Sequence, residues 1–322
     1  MHVTVSQMNR LVTDFETYLA VDRRRSPLTV LKYVDVLQDF VLFCEQTHGK
    51  DSFDLERMSK VDLTLFLRGV TLPGATSTWN ARLAALRAFY EQLFKDERIG
   101  VNPAKRIDRQ KVLAKEAKTI SLDEFIDLVD AVEFEAEPFY RPRYVAILQV
   151  FFHCSLRVAE VVSLNVDQVD FDRCVLRDVR RKGGLVFSVA FNDVVAVALS
   201  RYLRDRAAMH VPESERALFV SDRKKRIAVR SVEEFVSRYG VLAGIKRRIS
   251  PHTLRHASAS VLADNGVPIR VVQDRLGHAE VTTTERYTHV RSQQQRVAAT
   301  TIGSCYQARK SEMHAQVSTP MT

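Results

Sequence analysis

Four short segments hold the residues whose types and spacing could do chemistry. The first is His153-Cys154-Ser155-Leu156-Arg157-Val158-Ala159-Glu160, continuing through apolar positions to Leu164. The second is Arg180-Arg181-Lys182-Gly183-Gly184, and the third is Ser250-Pro251-His252-Thr253-Leu254-Arg255-His256. The fourth runs from Leu276-Gly277-His278 to Thr283-Thr284-Glu285-Arg286-Tyr287-Thr288-His289. Together they supply arginines on separate segments, a lysine beside two glycines, several imidazoles and a phenol. That set suits a phosphoryl centre. Guanidinium is always charged and offers two parallel donors to phosphate oxygens, and a tyrosine hydroxyl can act as a nucleophile. Taken singly, the residues say little: Arg157 alone reads as a helix-surface charge and Tyr287 as an ordinary aromatic. No G-x-x-x-x-G-K-[ST] loop occurs and no Asp/Glu/His cluster has metal-ion spacing, so neither a nucleotide nor a metal cofactor is expected.

An H-x-L-R-H segment, then L-G-H, then a T-x-x-x-Y-like ending form a specific combination in this order. On these motifs the chain resembles the tyrosine recombinases, also called the phage integrase family. The resemblance covers the whole second domain and, more loosely, the helical first one. It implies that Tyr287 attacks a DNA phosphodiester, leaving a 3′-phosphotyrosine and a free 5′ hydroxyl. It implies that Arg157 and Arg255 hold the phosphoryl oxygens as charge develops, the electrostatic effect that usually dominates such catalysis. By similarity His278 adds a hydrogen bond to the same phosphate. His252 serves as a further donor or as a proton acceptor near Tyr287, and Lys182 protonates the leaving oxygen. Glu160 orients the site, while His256 and His289 are expected to pack against helices or to steady the site. The chain departs from the family pattern in two places. Many members carry Thr-Gly where it has Cys154-Ser155, and its hairpin lacks the usual second basic residue and the proline, with Ala190 in the proline's place.

The elements that must position these residues are legible in outline. Thr29 to Gln46 places Val30, Val34, Leu37, Val41 and Cys44 on one helical face, and Ser77 to Lys95 does the same with Trp79, Leu83, Leu86 and Leu93. Shorter helices are expected from about Ser6 to Ala20 and from Val61 to Arg68, with Leu72-Pro73-Gly74 as a breaker. Asn102-Pro103 ends this helical unit, and a basic stretch with Lys105, Arg106, Arg109, Lys111, Lys115 and Lys118 reads as a linker. Ser121-Leu122-Asp123-Glu124 is a capping-box pattern that opens the second unit, and Ser231-Val232-Glu233-Glu234 is another. A helix is expected from Arg143 to Cys154. The β-prone runs Cys174–Val179 and Leu185–Phe191 flank Lys182 and predict a hairpin. The residues after about Lys310 are polar and are expected to be loose. Val297, Ala298, Ile302 and Tyr306 recur at roughly helical spacing, a candidate surface for docking onto a neighbouring protomer, or for packing on their own domain.

The fold class expected is mainly α with a small antiparallel β-sheet: a helical core-binding domain followed by an α+β tyrosine recombinase catalytic domain. The expected boundaries are 1–103 for the helical, SAM-like DNA-binding domain, 104–119 for the basic linker, 120–309 for the catalytic domain and 310–322 for the tail. The 322 residues suffice for two domains. A net charge of +9 favours a polyanionic partner. Further phosphate contacts are expected from Arg82, Arg87, Lys105, Arg106, Arg109, Lys111, Arg223, Lys224, Lys225, Arg226, Lys246, Arg247 and Arg248. The cysteines are scattered without a C-x-x-C pair, there is no secretory leader pattern, and no apolar run approaches the roughly 20 residues that span a bilayer. A cytoplasmic, nucleoid-associated protein without membrane contact is therefore expected. By resemblance it exchanges strands through a Holliday junction, for integration, transposition or dimer resolution. It would act as a homo-tetramer on two double-stranded DNA sites, with accessory proteins or a paralogous recombinase as further candidate partners. Nothing precedes the first helix that could serve as an arm-binding domain, which points to the simpler Xer-like type. The alternatives weighed are a DNA-relaxing enzyme like the type IB topoisomerases, and a catalytically silent DNA-binding regulator.

Overall fold

The computed structural model describes residues 1–49, 53–72, 75–111, 119–181, 185–276 and 288–317. Lys182, His278 and Tyr287 therefore lie outside the described residues. The chain forms two compact units, Met1–Ala114 and Lys115–Thr322.

In the first unit, α1 (Val5–Thr17), α2 (Pro27–His48), α3 (Lys60–Gly69) and α4 (Thr76–Lys95) enclose one apolar core. Local capping sets three of the four starts. Thr4 with Gln7, and Ser59 with Asp62, form reciprocal capping boxes, and Ser26 caps α2 just ahead of Pro27. Aromatic rings fill the centre, with Phe15 meeting Phe89 edge-on at 5.5 Å. Two short strands, β1 (His2–Val3) and β2 (Phe53–Asp54), pair antiparallel at the chain start.

The expected linker begins later than its charges suggested. Pro103–Arg106 forms a 3₁₀ turn, Ala104 and Ile107 are buried in the first unit's core, and Asn102 accepts from the Ala104 amide at 3.1 Å. Lys105 and Arg106 point outward between these apolar anchors, and a reading dominated by charge missed the alternation.

The second unit is built around α6 (Arg141–Cys154), in which every residue from Val145 to Cys154 is buried. A helix apolar on all sides belongs in the middle of a domain. Around it lie α5 (Leu122–Glu135), α7 (Val158–Ser163), α8 (Asp193–Ala208), α9 (Val229–Leu242), α10 (Pro251–Asp264), α11 (Ile269–Leu276) and α12 (Thr288–Val317). The small sheet has the order β3 (Val169–Asp170), β4 (Val175–Arg180), β5 (Val186–Ala190), all antiparallel. Between the pairs Leu176↔Val189 and Val179↔Phe187, β4 carries one more residue than β5. The bulge is accommodated at Asp178, whose φ is +51°.

The Ser121–Glu124 box caps α5 as expected. The Ser231 box does not form: α9 starts three residues earlier, at Val229 after Ala228, which offers no side-chain cap. Ile227 and Val232 are buried, so packing sets this start ahead of capping. Nor is the stretch from Lys310 loose. α12 continues to Val317, with Arg309 gripping Asp123 at 2.6 and 2.7 Å and Lys310 reaching Asp130 at 2.8 Å, both acids on α5. Ala298, Ile302 and Tyr306 are buried in the core of their own unit, which leaves only Val297 of that set exposed. None of the described helices is long and apolar enough to cross a membrane.

Candidate functional site

The site is assembled where α6 ends. Ser155 terminates that helix in the left-handed conformation, at φ +53° and ψ +33°. Its Oγ lies 2.6 Å from Ser258 Oγ on α10, which ties the turn to the neighbouring helix. The chain then passes the buried Leu156 into Arg157, the residue that precedes α7. Glu160, in the first turn of α7, folds back on it: one carboxylate oxygen accepts from the Arg157 backbone amide at 2.8 Å, the other from Arg157 Nη1 at 2.9 Å. Glu160 is buried, and its carboxylate also lies 3.6 Å from Arg255 Nη1. A buried carboxylate needs such partners, since an unpaired charge away from water is costly. One buried acid thus pairs with both arginines.

Arg255 comes from α10, whose start is capped by Ser250. It is 3% exposed, donating from Nη1 to the Ser155 carbonyl at 2.7 Å and from Nη2 to the Leu276 carbonyl. Burial, then the nearby Arg157, push its pKa down to about 10, with Glu160 opposing. It remains a cation at neutral pH. His252 precedes it by almost one helical turn. The His252 and His256 rings meet at 4.6 Å between centroids, with their Nε2 atoms 3.3 Å apart. Partial burial, and then the charges of His256, Arg255 and Arg157, hold the His252 pKa below the ordinary imidazole value. Its ring is therefore neutral at neutral pH, able to donate from one nitrogen and accept at the other.

Arg157, Glu160, His252 and Arg255, far apart in sequence, are brought together by α6, α7 and α10. Lys182, His278 and Tyr287 fall in the segments 182–184 and 277–287, outside the described residues. The described neighbours frame both segments. The Arg181 amide donates to the Leu185 carbonyl at 2.8 Å across the 182–184 segment, and Leu276 ends α11 with its carbonyl on Arg255.

The side chains expected to touch phosphate divide into two groups. Arg106, Arg109, Lys111, Arg223, Lys224, Lys225, Lys246 and Arg248 are exposed. The others are engaged within the protein. Arg82 donates to Thr71 at 3.0 Å, and Arg87 donates to the Ala104 and Ile107 carbonyls. Lys105 pairs with Glu91 at 2.9 Å. Arg226 binds the Val162 and Leu164 carbonyls at 2.7 and 2.9 Å, and Arg247 binds Glu124 and the Thr119 carbonyl.

Two arginines that matter here carry no assigned role in the sequence reading, although Arg181 stands in its second segment. Arg275 is 1% exposed and donates to the carbonyls of His153 and Ala190 and to the Gln295 side chain. It joins the end of α6, the end of β5 and α12, immediately behind the site. Its signal was present: Arg275 falls on the same helical face as Val271 and Val272, where a charge is out of place. Arg181 donates to the carbonyls of Asp274 and Arg275 and lies over the Phe187 ring. Arg23-Arg24-Arg25, exposed ahead of α2, is a basic run that a charge scan would have found.

Comparison with known proteins gives a consistent outcome. Residues 118–294 match the model of the phage integrase family, and residues 12–97 match that of the phage integrase N-terminal SAM-like domain. The tyrosine recombinase XerC of Thermodesulfovibrio yellowstonii is 31% identical over 284 residues, covering 87% of this chain and 91% of the relative. The tyrosine recombinase XerC of Caldanaerobacter subterraneus is 32% identical over 308 residues, covering 89% and 85%. Among solved structures, the XerH site-specific recombinase bound to a palindromic difH substrate shares the fold with a TM-score of 0.69 at 19% identity, over 92% of this chain and 84% of that one. A lambda integrase dimer bound to a COC′ core site aligns with a TM-score of 0.66 at 16% identity, over 89% of this chain and all of the other.

Proposed function

The chain belongs to the phage integrase family and is a tyrosine site-specific recombinase of the Xer type; we propose that it cleaves and rejoins duplex DNA through Tyr287, on a phosphate gripped by Arg157 and Arg255. The observation that carries this reading is the buried Glu160 carboxylate, which holds both guanidinium groups at one spot. In the first step the Tyr287 oxygen forms a bond to phosphorus, the bond from phosphorus to the 5′ oxygen breaks, and the 3′-phosphotyrosine results. The phenolic proton passes to a base, for which the neutral His252 imidazole is suited. The 5′ oxygen takes a proton from Lys182. Such a positioned acid contributes typically ~10²–10⁴-fold. The two arginines, with His278 as a further donor, meet the charge that develops on the non-bridging oxygens, and they do so without reorganisation because Glu160 and the Ser155 and Leu276 carbonyls already fix them. Reversal with a 5′ hydroxyl from a partner strand completes the exchange, and the ester keeps the energy of the broken bond.

The first unit, 1–103 in its helical part, acts as the DNA-gripping core-binding domain, and the second as the catalytic domain, both on the same duplex. Four protomers on two sites exchange strands pairwise through a Holliday junction. A duplex library with a randomised core, incubated with the protein and denatured, retains protein-linked molecules whose sequence reveals the site. A nicked duplex carrying that site then traps the covalent complex. Tyr287→Phe abolishes the linked band while retaining site binding; a band that persists in this variant refutes the assignment.

A further inference from the structure

A guanidinium stabilises developing charge best when it is itself held still beforehand. Arg255 is held by two carbonyls: Ser155 accepts from its Nη1 at 2.7 Å, and Leu276 accepts from its Nη2. They belong to different elements. Ser155 is the left-handed residue that terminates α6, and Leu276 is the last residue of α11. The aim of Arg255 therefore depends on the spacing between those two element ends.

Arg275 spans that spacing. It stands one residue before Leu276 on α11, and its Nη2 donates to the carbonyl of His153, two residues before Ser155. The same Nη2 reaches the Ala190 carbonyl at the end of β5, at 3.1 Å. Nη1 meets Gln295 on α12, its carbonyl at 3.3 Å and its side-chain oxygen at 3.0 Å. Arg181 also holds this end of α11, through the Asp274 and Arg275 carbonyls, from the side of the hairpin. What the Arg275 side chain adds is the tie to the end of α6.

Arg275 is 1% exposed, on a helix face that it shares with the buried Val271 and Val272. Taking a guanidinium out of water is costly, and an apolar side chain of similar length would fill the place without that cost. What the cation supplies in return is geometry. Its planar fork carries donors in fixed directions, enough to meet acceptors on three elements at once. We infer that Arg275 is a positioning residue for Arg255: it fixes the end of α11 against the end of α6 and so sets the two carbonyls that aim Arg255 at the scissile phosphate. The inference rests on the reading of Arg255 as a phosphate-gripping residue. Without Arg275 the Leu276 and Ser155 carbonyls shift relative to one another, and Arg255 follows them. A misplacement of about 1 Å can cost ~10²-fold in rate.

A double-mutant cycle tests the dependence. A residue that acts through Arg255 has nothing left to act through once that side chain is gone, whereas a general packing role persists. Single-turnover formation of the covalent complex on the nicked duplex is measured for the full chain, Arg275→Met, Arg255→Ala and the double variant. The protein is saturating, and the temperature lies below the unfolding midpoint of each variant. Arg255→Ala is expected to be slowed ~10²–10³-fold. Arg275→Met is expected to slow the parent on the order of 10-fold or more, and the Arg255→Ala background by less than about 2-fold. Arg275→Lys keeps the charge without the fork and is the milder change for folding; it follows the same pattern with a smaller defect. If Arg275→Met does not fold, Arg275→Lys carries the same comparison. Equal slowing with and without Arg255, or no slowing of the parent, overturns the inference. Arg255→Ala cleaving at the parent rate refutes instead the reading of Arg255 as a grip on the phosphate.

Discussion

At the scale of single residues, burial decides which ionisable groups stay charged. Arg255 and Arg275 keep their charge in the interior because backbone carbonyls surround them. His153, at the end of α6, does not: it is fully buried, Asn192 lies 2.9 Å from its Nδ1, and its pKa is lowered to about 3, by burial first and the Arg275 charge second. The unfolded chain protonates this histidine near pH 6.5, whereas the folded chain stays neutral down to about 3. In that window the unfolded state binds more protons, so stability rises with pH and falls on acidification, with a limiting slope of about 1.4 kcal/mol per pH unit. His153→Gln removes the titration. The stability advantage of the parent over this variant should shrink by roughly 2–3 kcal/mol between pH 7 and 4.5, measured by chemical denaturation. A difference that does not change with pH contradicts the assignment.

At the scale of elements, the turn between α6 and α7 is the sharpest constraint on the site. Ser155 adopts the left-handed conformation that glycine occupies without penalty, and which costs other residues about 1–2 kcal/mol. The resemblance places a glycine there in many family members, for which the φ of +53° supplies the reason. Its hydroxyl contact with Ser258 returns about 1 kcal/mol. Ser155→Gly should therefore stay within about 1 kcal/mol of the parent in unfolding free energy, whereas Ser155→Ala keeps the strain and loses the contact, costing ~1–3 kcal/mol. Alanine tolerated better than glycine would show that the strain is not there. α12 gives a second element-scale expectation. Tyr306 is buried and its hydroxyl accepts from Gln149 at 3.1 Å, so truncation from Ser304 removes part of the core and not only a surface for assembly. Tyr306→Ala should cost roughly 3–5 kcal/mol of the second unit's stability. Ending the chain after Lys310, which retains Tyr306 and the contacts to Asp123 and Asp130, should be far milder by thermal unfolding.

At the scale of the whole molecule, the net charge of +9 acts through those cations that remain available. Arg106, Arg109, Lys111, Arg223, Lys224, Lys225, Lys246 and Arg248 are exposed, while Arg87, Arg226 and Arg247 spend their donors on carbonyls and a carboxylate inside their own units. The affinity for the recombination site should fall linearly in log salt, and neutralising an exposed cation that meets a phosphate should reduce the slope by about 0.9. Arg226→Ala should instead lower the unfolding midpoint and leave the slope unchanged. Equal slopes for all substitutions of the exposed set would remove these residues from the interface.

The sequence by itself determined the family and the mostly helical class with its small hairpin, and its motifs contain Arg157, Glu160, His252 and Arg255, which the structure brings near one another. Those features rest on period and spacing, which are local, and on residue types whose chemistry is unambiguous in combination. Only the tertiary structure decided which cations are free and which are fasteners, because an arginine facing phosphate and one facing a carbonyl are identical letters. It likewise decided that α9 begins without its capping box, that Ala104 and Ile107 belong to the first core, and that α12 packs on its own unit. Each of these depends on burial against residues distant in the chain, which overrides propensity and charge pattern. Arg275 and Arg181 are the plainest cases. Their partners are backbone carbonyls, groups that every residue carries and no sequence motif distinguishes.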